Sequence, residues 1–487
     1  MSEQKKPPQT VSSKITRRKF LTKASACAAI SALPPLLPHA TAFAPGNQSP
    51  SARLTMGLIG HGLMGRNHLL RLVGDPEIQV LAVCDVDSLR CYQGREVVEK
   101  HYAAQNRAGI YRSCSAYNDY RELLARPDID AVVIVTPDHW HTLQTIDAVK
   151  AGKDVYCEKP ISLSVRAGRQ LVTAVHHYAR VFQTGTQYRS TPVIRQICEF
   201  VRRGGLGKVK SVFTPWTTLG GFIGQKRFKP YQQGMDIAHT RNSYVPLEFY
   251  LPPEPIPDGL DWDLWLGPAA WHPYNRLYHA NPAENVVPWS FCSAFGAAAV
   301  TWYHSHAADV IQYALGMEQS GPVEFIHPTS GSYPTLTYRY ANGTLVHLVD
   351  DWSMVADVYK AIPPSVKLTG NFGGVIVGER GWITSMSKGG PIQAQPAALL
   401  DEIQSLTRDV QIGKKYHHAN WFECIRTRQK PSCSEELGHR SASLGHLTII
   451  AHKLQRSLKW DPAREIFPGD DQANRLLSRS CRAPWHF

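Results

Sequence analysis

The chain has 487 residues, more than one hydrophobic core normally supports, so we expect two domains. Hydrophobic residues make up 43% of it and charged residues 19%, as in an ordinary globular protein. The formal charge is +13, but residues 1–42 carry seven Lys or Arg against one Glu and so account for +6. The rest has no dense run of Lys or Arg, which disfavours nucleic acid as a partner.

The first 42 residues have the pattern of a twin-arginine export signal. Residues 16–21 (TRRKFL) precede a weakly apolar run, and residues 40–42 (ATA) suit signal cleavage after Ala42. The run is too short and too interrupted by Pro to remain as a membrane-spanning helix. We therefore expect residues 1–42 to be removed, residues 43–52 to be a linker, and the mature protein to be periplasmic, with the twin-arginine machinery as a transient partner.

The cysteines agree with this export route. There are ten, and they show neither a C-x-x-C spacing nor a paired framework. Free thiols are unusual in exported proteins, but the twin-arginine machinery carries proteins that folded in the cytoplasm, usually because a cofactor is loaded there.

The first predicted domain, residues 53–187, opens with a dinucleotide-binding pattern. Residues 54–59 (LTMGLI) predict a buried strand, residues 60–65 form a G-x-G-x-x-G sequence that leads into a helix, and a second strand ends at Asp85. Glycines in this order, with an acidic residue about twenty positions later, are typical of a Rossmann domain. Further strands and helices alternate up to Arg189, which predicts a doubly wound α/β sheet.

Each residue of the pattern has a physical task. Gly60 makes the tight turn, Gly62 lets the backbone approach the pyrophosphate, and Gly65 lets the helix pack closely on the strand. Asp85 would accept hydrogen bonds from the adenosine ribose and repel a 2′-phosphate, which favours NAD over NADP. Arg90 nearby leaves NADP open.

Three strand ends and several downstream segments resemble the Gfo/Idh/MocA family, the relatives of glucose–fructose oxidoreductase and inositol dehydrogenase. The resemblance rests on TPDHWH (136–141), AGKDVYCEKP (151–160), QTGTQYRS (183–190), GLDWDLWLGPAAWHPYN (259–275) and ELGHRSASLGHLTIIA (436–451). It implies cofactor contacts by the residues at these strand ends, namely Gly60, His61, Gly62, Leu63, Met64, Gly65, Asp85, Thr136, Pro137, His141, Glu158, Lys159 and Gln187.

The family resemblance implies that residues 188–487 form an α+β substrate and oligomerisation domain with a large, open, mostly antiparallel sheet. The sequence supports this independently, because residues 335–352 and 373–386 each predict two strands joined by a tight turn. Residues 216–295 are long, irregular and rich in Pro and aromatic residues, which suits a substrate wall or a subunit contact. A homo-oligomer is expected.

The resemblance assigns catalysis to Lys159 and His306. An ammonium at Lys159 would hold the substrate hydroxyl or carbonyl and stabilise a developing alkoxide. Residues 300–309 (VTWYHSHAAD) align with the family pattern D-W-G-x-H-x-x-D, which places the general acid/base on His306. The first acid of that pattern is replaced by Trp302.

Several neighbours are candidate substrate contacts. Trp302 could stack on a sugar ring, Tyr303 or His304 could relay a proton, and Tyr188 and Arg189 lie at the predicted domain junction. A metal at His304, His306 and Asp309 is disfavoured, because side chains two apart on a helix face different sides. No metal is therefore expected.

These patterns predict an exported NAD(P)-dependent oxidoreductase that acts on a carbohydrate. Because the periplasm has no free NAD pool, the cofactor should be held tightly. Two alternatives remain: an enzyme that cleaves or epimerises glycosides through transient oxidation, and a non-catalytic carbohydrate-binding protein that kept the fold.

Overall fold

Strands and helices alternate along the first part of the chain. In the computed structural model, which describes residues 53–104, 113–215, 245–279, 288–302, 304–366, 368, 374–385, 390–409 and 417–487, six strands form one parallel sheet in the order β3-β2-β1-β4-β5-β6. Its strands are β1 (Leu54–Ile59), β2 (Ile78–Cys84), β3 (Ser115–Tyr117), β4 (Ala131–Ile134), β5 (Asp154–Cys157) and β6 (Phe182–Thr184).

This order is that of a Rossmann sheet. The order reverses between β1 and β4, and ligands bind beside the carboxyl ends of the strands at such a point. The helices between the strands are α1 (Leu63–Gly74), α2 (Ser88–Ala104), α3 (Tyr120–Leu124), α4 (Asp138–Lys150) and α5 (Val165–His177). They cover the sheet, whose central β1 and β4 present almost only buried apolar residues.

A second sheet has eight strands in the order β13-β12-β11-β7-β10-β9-β8-β14. Only its β7–β10 pair is parallel, so the predicted fold class, a Rossmann sheet followed by a mostly antiparallel one, is confirmed. Its strands are β7 (Val209–Pro215), β8 (Glu324–Ile326), β9 (Thr337–Arg339), β10 (Leu345–Val349), β11 (Val375–Gly378), β12 (Trp382–Ser385), β13 (Ile392–Gln395) and β14 (Leu458–Lys459).

Both predicted hairpins are present in this sheet. β9 pairs with β10 and β11 with β12, each antiparallel. Gly343 and Gly381 lie in the two turns with φ of +88° and +140°, values that side chains rarely tolerate.

The remaining helices belong to the second part of the chain. They are α6 (Pro192–Arg202), α7 (Trp262–Leu266), α8 (Arg276–His279), α9 (Pro288–Phe291), α10 (Ala299–Trp302), α11 (His304–Leu315), α12 (Ser353–Asp357), α13 (Ala398–Asp409), α14 (His417–Thr427), α15 (Glu435–Leu454) and α16 (Asp471–Arg475).

Helix α15 joins the two halves. It packs against α5 and β6 of the first sheet and against α11 of the second half. The approach is close at Gly438, where an added Cβ would lie 2.0 Å from the Thr184 hydroxyl oxygen. One apolar core, on the second sheet, includes α6, α11 and the carboxyl-terminal part of α15.

The predicted alternation up to Arg189 needs one correction, because β6 ends at Thr184 and residues 187–190 form a 3₁₀ turn. In this turn Tyr188 stacks on His306 and Arg189 pairs with Asp309, both from the second half of the chain. These contacts override local strand propensity.

Three further findings concern the whole described part. No described helix is long and apolar enough to cross a membrane. Its nine cysteines are free, and all except Cys481 are buried. The described parts of 216–295 are largely irregular, as predicted, but include three short helices, α7 to α9. Residues 1–52, which contain the predicted export signal, lie outside the described residues.

Candidate active site

A cleft runs along the carboxyl ends of β1, β2, β4 and β5. It has an empty volume of about 1160 Å³, partly open to solvent. Ten of the thirteen predicted cofactor contacts line it: Gly60, Gly62, Leu63, Met64, Asp85, Thr136, Pro137, His141, Glu158 and Lys159. Trp265, Tyr278 and Trp289 from the second half line it as well.

At two glycines of the turn, Gly60 and Gly65, an added side chain would collide with backbone atoms. Gly60 has φ of +94°, and an added Cβ would lie 2.8 Å from the Val135 carbonyl. At Gly65 an added Cβ would lie 2.0 Å from the Gly60 carbonyl oxygen. Gly62 precedes the first turn of α1 without a side-chain cap, so the helix N-terminus keeps backbone N–H groups for an anion.

Asp85 is held at the end of β2 by the backbone. Its two oxygens accept hydrogen bonds from the N–H groups of His61 (2.8 Å) and Asp87 (3.0 Å). A carboxylate oxygen accepts more than one hydrogen bond, so Asp85 keeps capacity for two ribose hydroxyls. Arg90 donates to the His279 carbonyl at the same end of the cleft.

Predicted contact His61 faces away from the cleft. Its ring is 2% exposed, and Nδ1 lies 2.9 Å from the Arg90 carbonyl oxygen. Its backbone N–H donates to Asp85, so the backbone of His61 and not its ring contributes to the cofactor-binding end of the cleft. Burial lowers the pKa of His61.

The other end of the cleft carries the E-K-P turn. Lys159 follows β5, and the Lys159–Pro160 peptide is cis. Burial lowers the pKa of Lys159, while the carboxylates of Glu158 and Asp138 act in the opposite direction. His141 ties this turn to α4, because its ring nitrogens lie 2.7 Å from the Pro160 carbonyl oxygen and 2.8 Å from that of Thr136.

Glu158 is fixed in a buried network behind Lys159. Its Oε1 lies 3.0 Å from His68 Nε2 and 2.6 Å from Gln187 Nε2, which also donates to the Tyr156 hydroxyl. The network continues to His418, whose Nε2 lies 3.0 Å from His68 Nδ1. Burial alone would raise the pKa of Glu158, but the hydrogen bond and charge of His68 keep it well below its usual range.

Gln187, predicted to touch the cofactor, therefore contacts it at most through Glu158. Its side-chain amide is used by Glu158 and Tyr156, and it does not line the cleft.

His304 and His306 have different surroundings, as expected for positions two apart on a helix. His306 stacks on Tyr188, with ring centroids 4.3 Å apart, and is close enough to Glu158 to lower the pKa of that carboxyl. His304 is 1% exposed and faces the second sheet, with Nε2 3.4 Å from the Tyr338 hydroxyl. Burial lowers the pKa of His304 to about 4. The structure therefore places His304, a predicted substrate contact, in the core against the second sheet.

Arg189 is also occupied elsewhere. Its guanidinium makes a two-pronged hydrogen bond with Asp309 at 2.9 and 2.8 Å, and it also pairs with Glu318. This buried ion pair joins the 187–190 turn to α11 and uses the guanidinium of Arg189, a predicted substrate contact. Tyr303 and the side chain of Trp302, two predicted substrate contacts, lie outside the described residues.

Sequence reasoning missed two features of the site. Asp138, the first residue of α4, lines the cleft although it is only 3% exposed. His417 and His418 of α14 are both 2% exposed. His418 extends the Glu158 network through His68, and His417 Nε2 lies 3.0 Å from the Thr184 carbonyl oxygen. The D-H-W-H and H-H sequences show the polar residues but not which of them face inward.

Among the residues that the structure describes, no group of three or more His, Cys, Asp or Glu side chains is arranged to hold a metal ion.

Fold and site together define the class: a Rossmann protein with a dinucleotide cleft closed by a second, mostly antiparallel domain. Residues 54–186 match the GFO_IDH_MocA oxidoreductase domain with an NAD-binding Rossmann fold. Residues 242–374 and 401–487 match the C-terminal alpha/beta domain of the same oxidoreductase family. The chain belongs to the Gfo/Idh/MocA family, and its first domain is an NAD-binding Rossmann domain.

Individual relatives match over about a third of the chain. A levoglucosan dehydrogenase of Pseudarthrobacter phenanthrenivorans is 31% identical over 159 residues, 32% of this chain and 39% of that protein. An inositol 2-dehydrogenase of Burkholderia ambifaria is 30% identical over 156 residues, 32% of this chain and 43% of that protein. The chain thus spans about two fifths of the length of the curated relatives it matches.

Solved structures share the fold over most of the chain. The WlbA dehydrogenase of Chromobacterium violaceum, in complex with NADH and UDP-GlcNAcA, has a TM-score of 0.53 at 16% identity and covers 84% of this chain and 96% of its own. The WlbA dehydrogenase of Bordetella pertussis, with the same two ligands, has a TM-score of 0.52 at 15% identity and covers 84% and 98%. These likenesses show the fold.

The residues present fit NAD. The space left by Gly60 and Gly65 would be filled by any Cβ, Asp85 is oriented at the ribose end, and Lys159 closes the opposite end of the cleft.

Proposed function

We propose that the protein is an exported, NAD-dependent oxidoreductase that interconverts an alcohol and a carbonyl group on a sugar or sugar derivative, with the cofactor held tightly. The observation that carries the proposal is one continuous cleft with a dinucleotide turn at one end and Lys159 at the other. The levoglucosan and inositol dehydrogenases among the relatives support a polyhydroxylated substrate.

The chain's own residues would bind the substrate oxygen and move its proton, whereas NAD, when bound, supplies the hydride acceptor. Lys159 is placed to hold the hydroxyl oxygen and to stabilise negative charge on it. His306 is close enough to Glu158 to affect the pKa of that carboxyl, and it would be a second acceptor for the hydroxyl proton. Glu158, fixed by His68 and Gln187, would keep Lys159 oriented rather than exchange protons itself.

Asp85 supports NAD over NADP. Its carboxylate lies at the ribose end, where it would repel a 2′-phosphate, and Arg90 donates to the His279 carbonyl. Export is supported by the TRRKFL sequence at residues 16–21 and by the buried free thiols. The proposed homo-oligomer rests on the family resemblance alone.

The test is a sugar panel, including levoglucosan and myo-inositol, mixed with the NAD-loaded full chain. We expect at least one sugar to produce the near-ultraviolet absorbance of reduced nicotinamide. Lys159→Ala should lower the rate by about 10²- to 10⁴-fold while NAD still binds. Full activity of that variant would refute the proposed chemistry. A cleaved glycoside without net reduction of NAD would indicate transient oxidation instead.

A further inference from the structure

The cleft contains three described carboxyl groups, and they differ in what surrounds them. Asp85 accepts two backbone hydrogen bonds at the ribose end. Oε1 of Glu158 contacts His68 and Gln187, and Oε2 accepts a hydrogen bond from the backbone N–H of Lys159 at 3.2 Å. Asp138 remains, and within the described residues its Oδ2 is buried and accepts no hydrogen bond.

Asp138 and Lys159 line the same cleft. Their charges interact, because each shifts the pKa of the other towards the charged pair. A hydrogen bond from the backbone of Ala297, in the second half of the chain, also lowers the pKa of Asp138. A buried carboxylate oxygen without a hydrogen bond costs free energy unless a proton or a ligand satisfies it.

We propose that Asp138 is the proton acceptor for Lys159 in the proposed reaction, so this inference rests on the proposed function. One N–H bond of Lys159 breaks first, and that proton forms an O–H bond on Asp138 Oδ2, which leaves a neutral amine with a lone pair. As the electron pair of the substrate C–H bond leaves with the hydride, the substrate O–H bond breaks and its proton forms a new N–H bond on Lys159. Lys159 is an ammonium before and after, and Asp138 ends neutral.

The surroundings of Asp138 suit this exchange. Burial raises its pKa to about 7, against the opposing charges of Lys159 and Arg479. The charge of Asp138 also acts on Cys157, whose thiol pKa is raised mainly by burial. A carboxyl with a pKa near neutrality takes up a proton and returns it to solvent with little cost in either direction. Glu158, with its pKa lowered, does neither.

The first test needs no substrate. Infrared difference spectra of the full chain between about pH 5 and pH 9 should show a carboxylic-acid band that disappears with a midpoint near neutrality. Asp138→Asn keeps the shape and the acceptor for Ala297, and should remove that band. Asp154→Asn is the matched control, because Asp154 is a buried aspartate at the opposite end of β5, paired with Arg428. It should leave the band unchanged.

The reactivity of Lys159 is a second measurement, and it would not change if Asp138 had a purely structural role. Loss of the Asp138 carboxylate destabilises the ammonium, so the pKa of Lys159 falls further. Acetic anhydride should then acetylate Lys159 of Asp138→Asn about three to ten times faster at a fixed, mildly alkaline pH, read by mass spectrometry. An unchanged Lys159 rate, or a neutral-pH carboxyl band that persists in Asp138→Asn, would overturn the inference.

With an active sugar in hand, the pH profile separates the two proton routes. The fall in oxidation rate below about pH 7 should vanish in Asp138→Asn and persist in His306→Gln. The reverse pattern would assign the proton to His306 and overturn the inference. If no sugar is oxidised although the infrared and acetylation results hold, the proposed function fails while the Asp138–Lys159 pair stands.

Discussion

His304 and His306 show how two identical side chains in one helix differ in chemistry. His306 stacks on Tyr188 near Glu158, whereas His304 is buried against Tyr338 of the second sheet. Burial keeps His304 neutral, with a pKa of about 4, so it cannot exchange protons near neutral pH. Only the fold reveals this, because the sequence HSHAAD presents both as candidates.

The two histidines should respond differently to the same substitution. His306→Gln should lower the oxidation rate of an active sugar by about 10²-fold or more. His304→Gln should leave that rate within about twofold and lower the free energy of unfolding by about 1–2 kcal/mol, since it disturbs a buried polar contact. Steady-state rates and urea unfolding of both variants check this. Equal losses of rate would contradict the assignment.

Site residues fall into two groups by how well the sequence predicts their surroundings. Gly60, Gly65 and Asp85 have a spacing that one local structure requires, and the structure contains that glycine turn. The surroundings of Asp138 and Arg189 depend on residues far along the chain, such as Asp309 of α11, which pairs with Arg189. Local sequence does not show such partners.

Elements were predictable where local chemistry fixes them. The β9–β10 and β11–β12 hairpins follow from turn glycines between alternating residues. β6 was predicted too long, because the chain beyond Thr184 is shaped by α14 and α15. The Thr184 N–H donates to the Cys433 carbonyl, and Gly438 of α15 lies against its side chain.

An ion cluster joins α5 to α15 and to the segment after β14. Arg169 donates to both oxygens of Glu436 and to Glu465, which also accepts from His439. Arg169→Leu would remove one of the two arginines that Glu436 and Glu465 share and leave Arg440. We expect the free energy of unfolding to fall by about 2–3 kcal/mol, a figure that already allows for the partial exposure of Arg169. Urea unfolding measures it.

A matched control for that prediction is Arg121→Leu. Arg121 pairs with Asp119 at the surface, so its loss should cost less than about 1 kcal/mol. Equal costs for the two variants would show that the α5–α15 cluster is not a stabilising contact between the two halves.

At the scale of the whole molecule, the same cluster should make the free energy of unfolding depend on pH in the acid range. Burial alone would raise the pKa of Glu436 and Glu465, but Arg169 with Arg440 or His439 lowers each to about 2, from about 4.3 in an unfolded chain. Folded pKa values below the unfolded ones give stability that is complete above about pH 5 and lost as pH falls towards 2. Urea midpoints at pH 5, 4 and 3 should fall steadily, and more shallowly in Arg169→Leu. Parallel slopes would contradict this origin.

The two-sheet architecture was predictable from the alternation of elements and the family resemblance, and the cleft between the halves was not. Its far wall is formed by Trp265, Tyr278 and Trp289, from a stretch whose irregular sequence gives no periodicity to interpret. That stretch could be assigned only as a substrate wall or a subunit contact, and its lining of the cleft supports the former.

The most direct test is calorimetric titration of NAD into the nucleotide-free chain and into Gly65→Ala. We predict one NAD bound per wild-type chain, weaker binding of NADP, and no measurable binding by Gly65→Ala, where the new Cβ would meet the Gly60 carbonyl oxygen at 2.0 Å. Absence of NAD binding by a folded wild-type chain, or equal binding by the folded variant, would contradict the account.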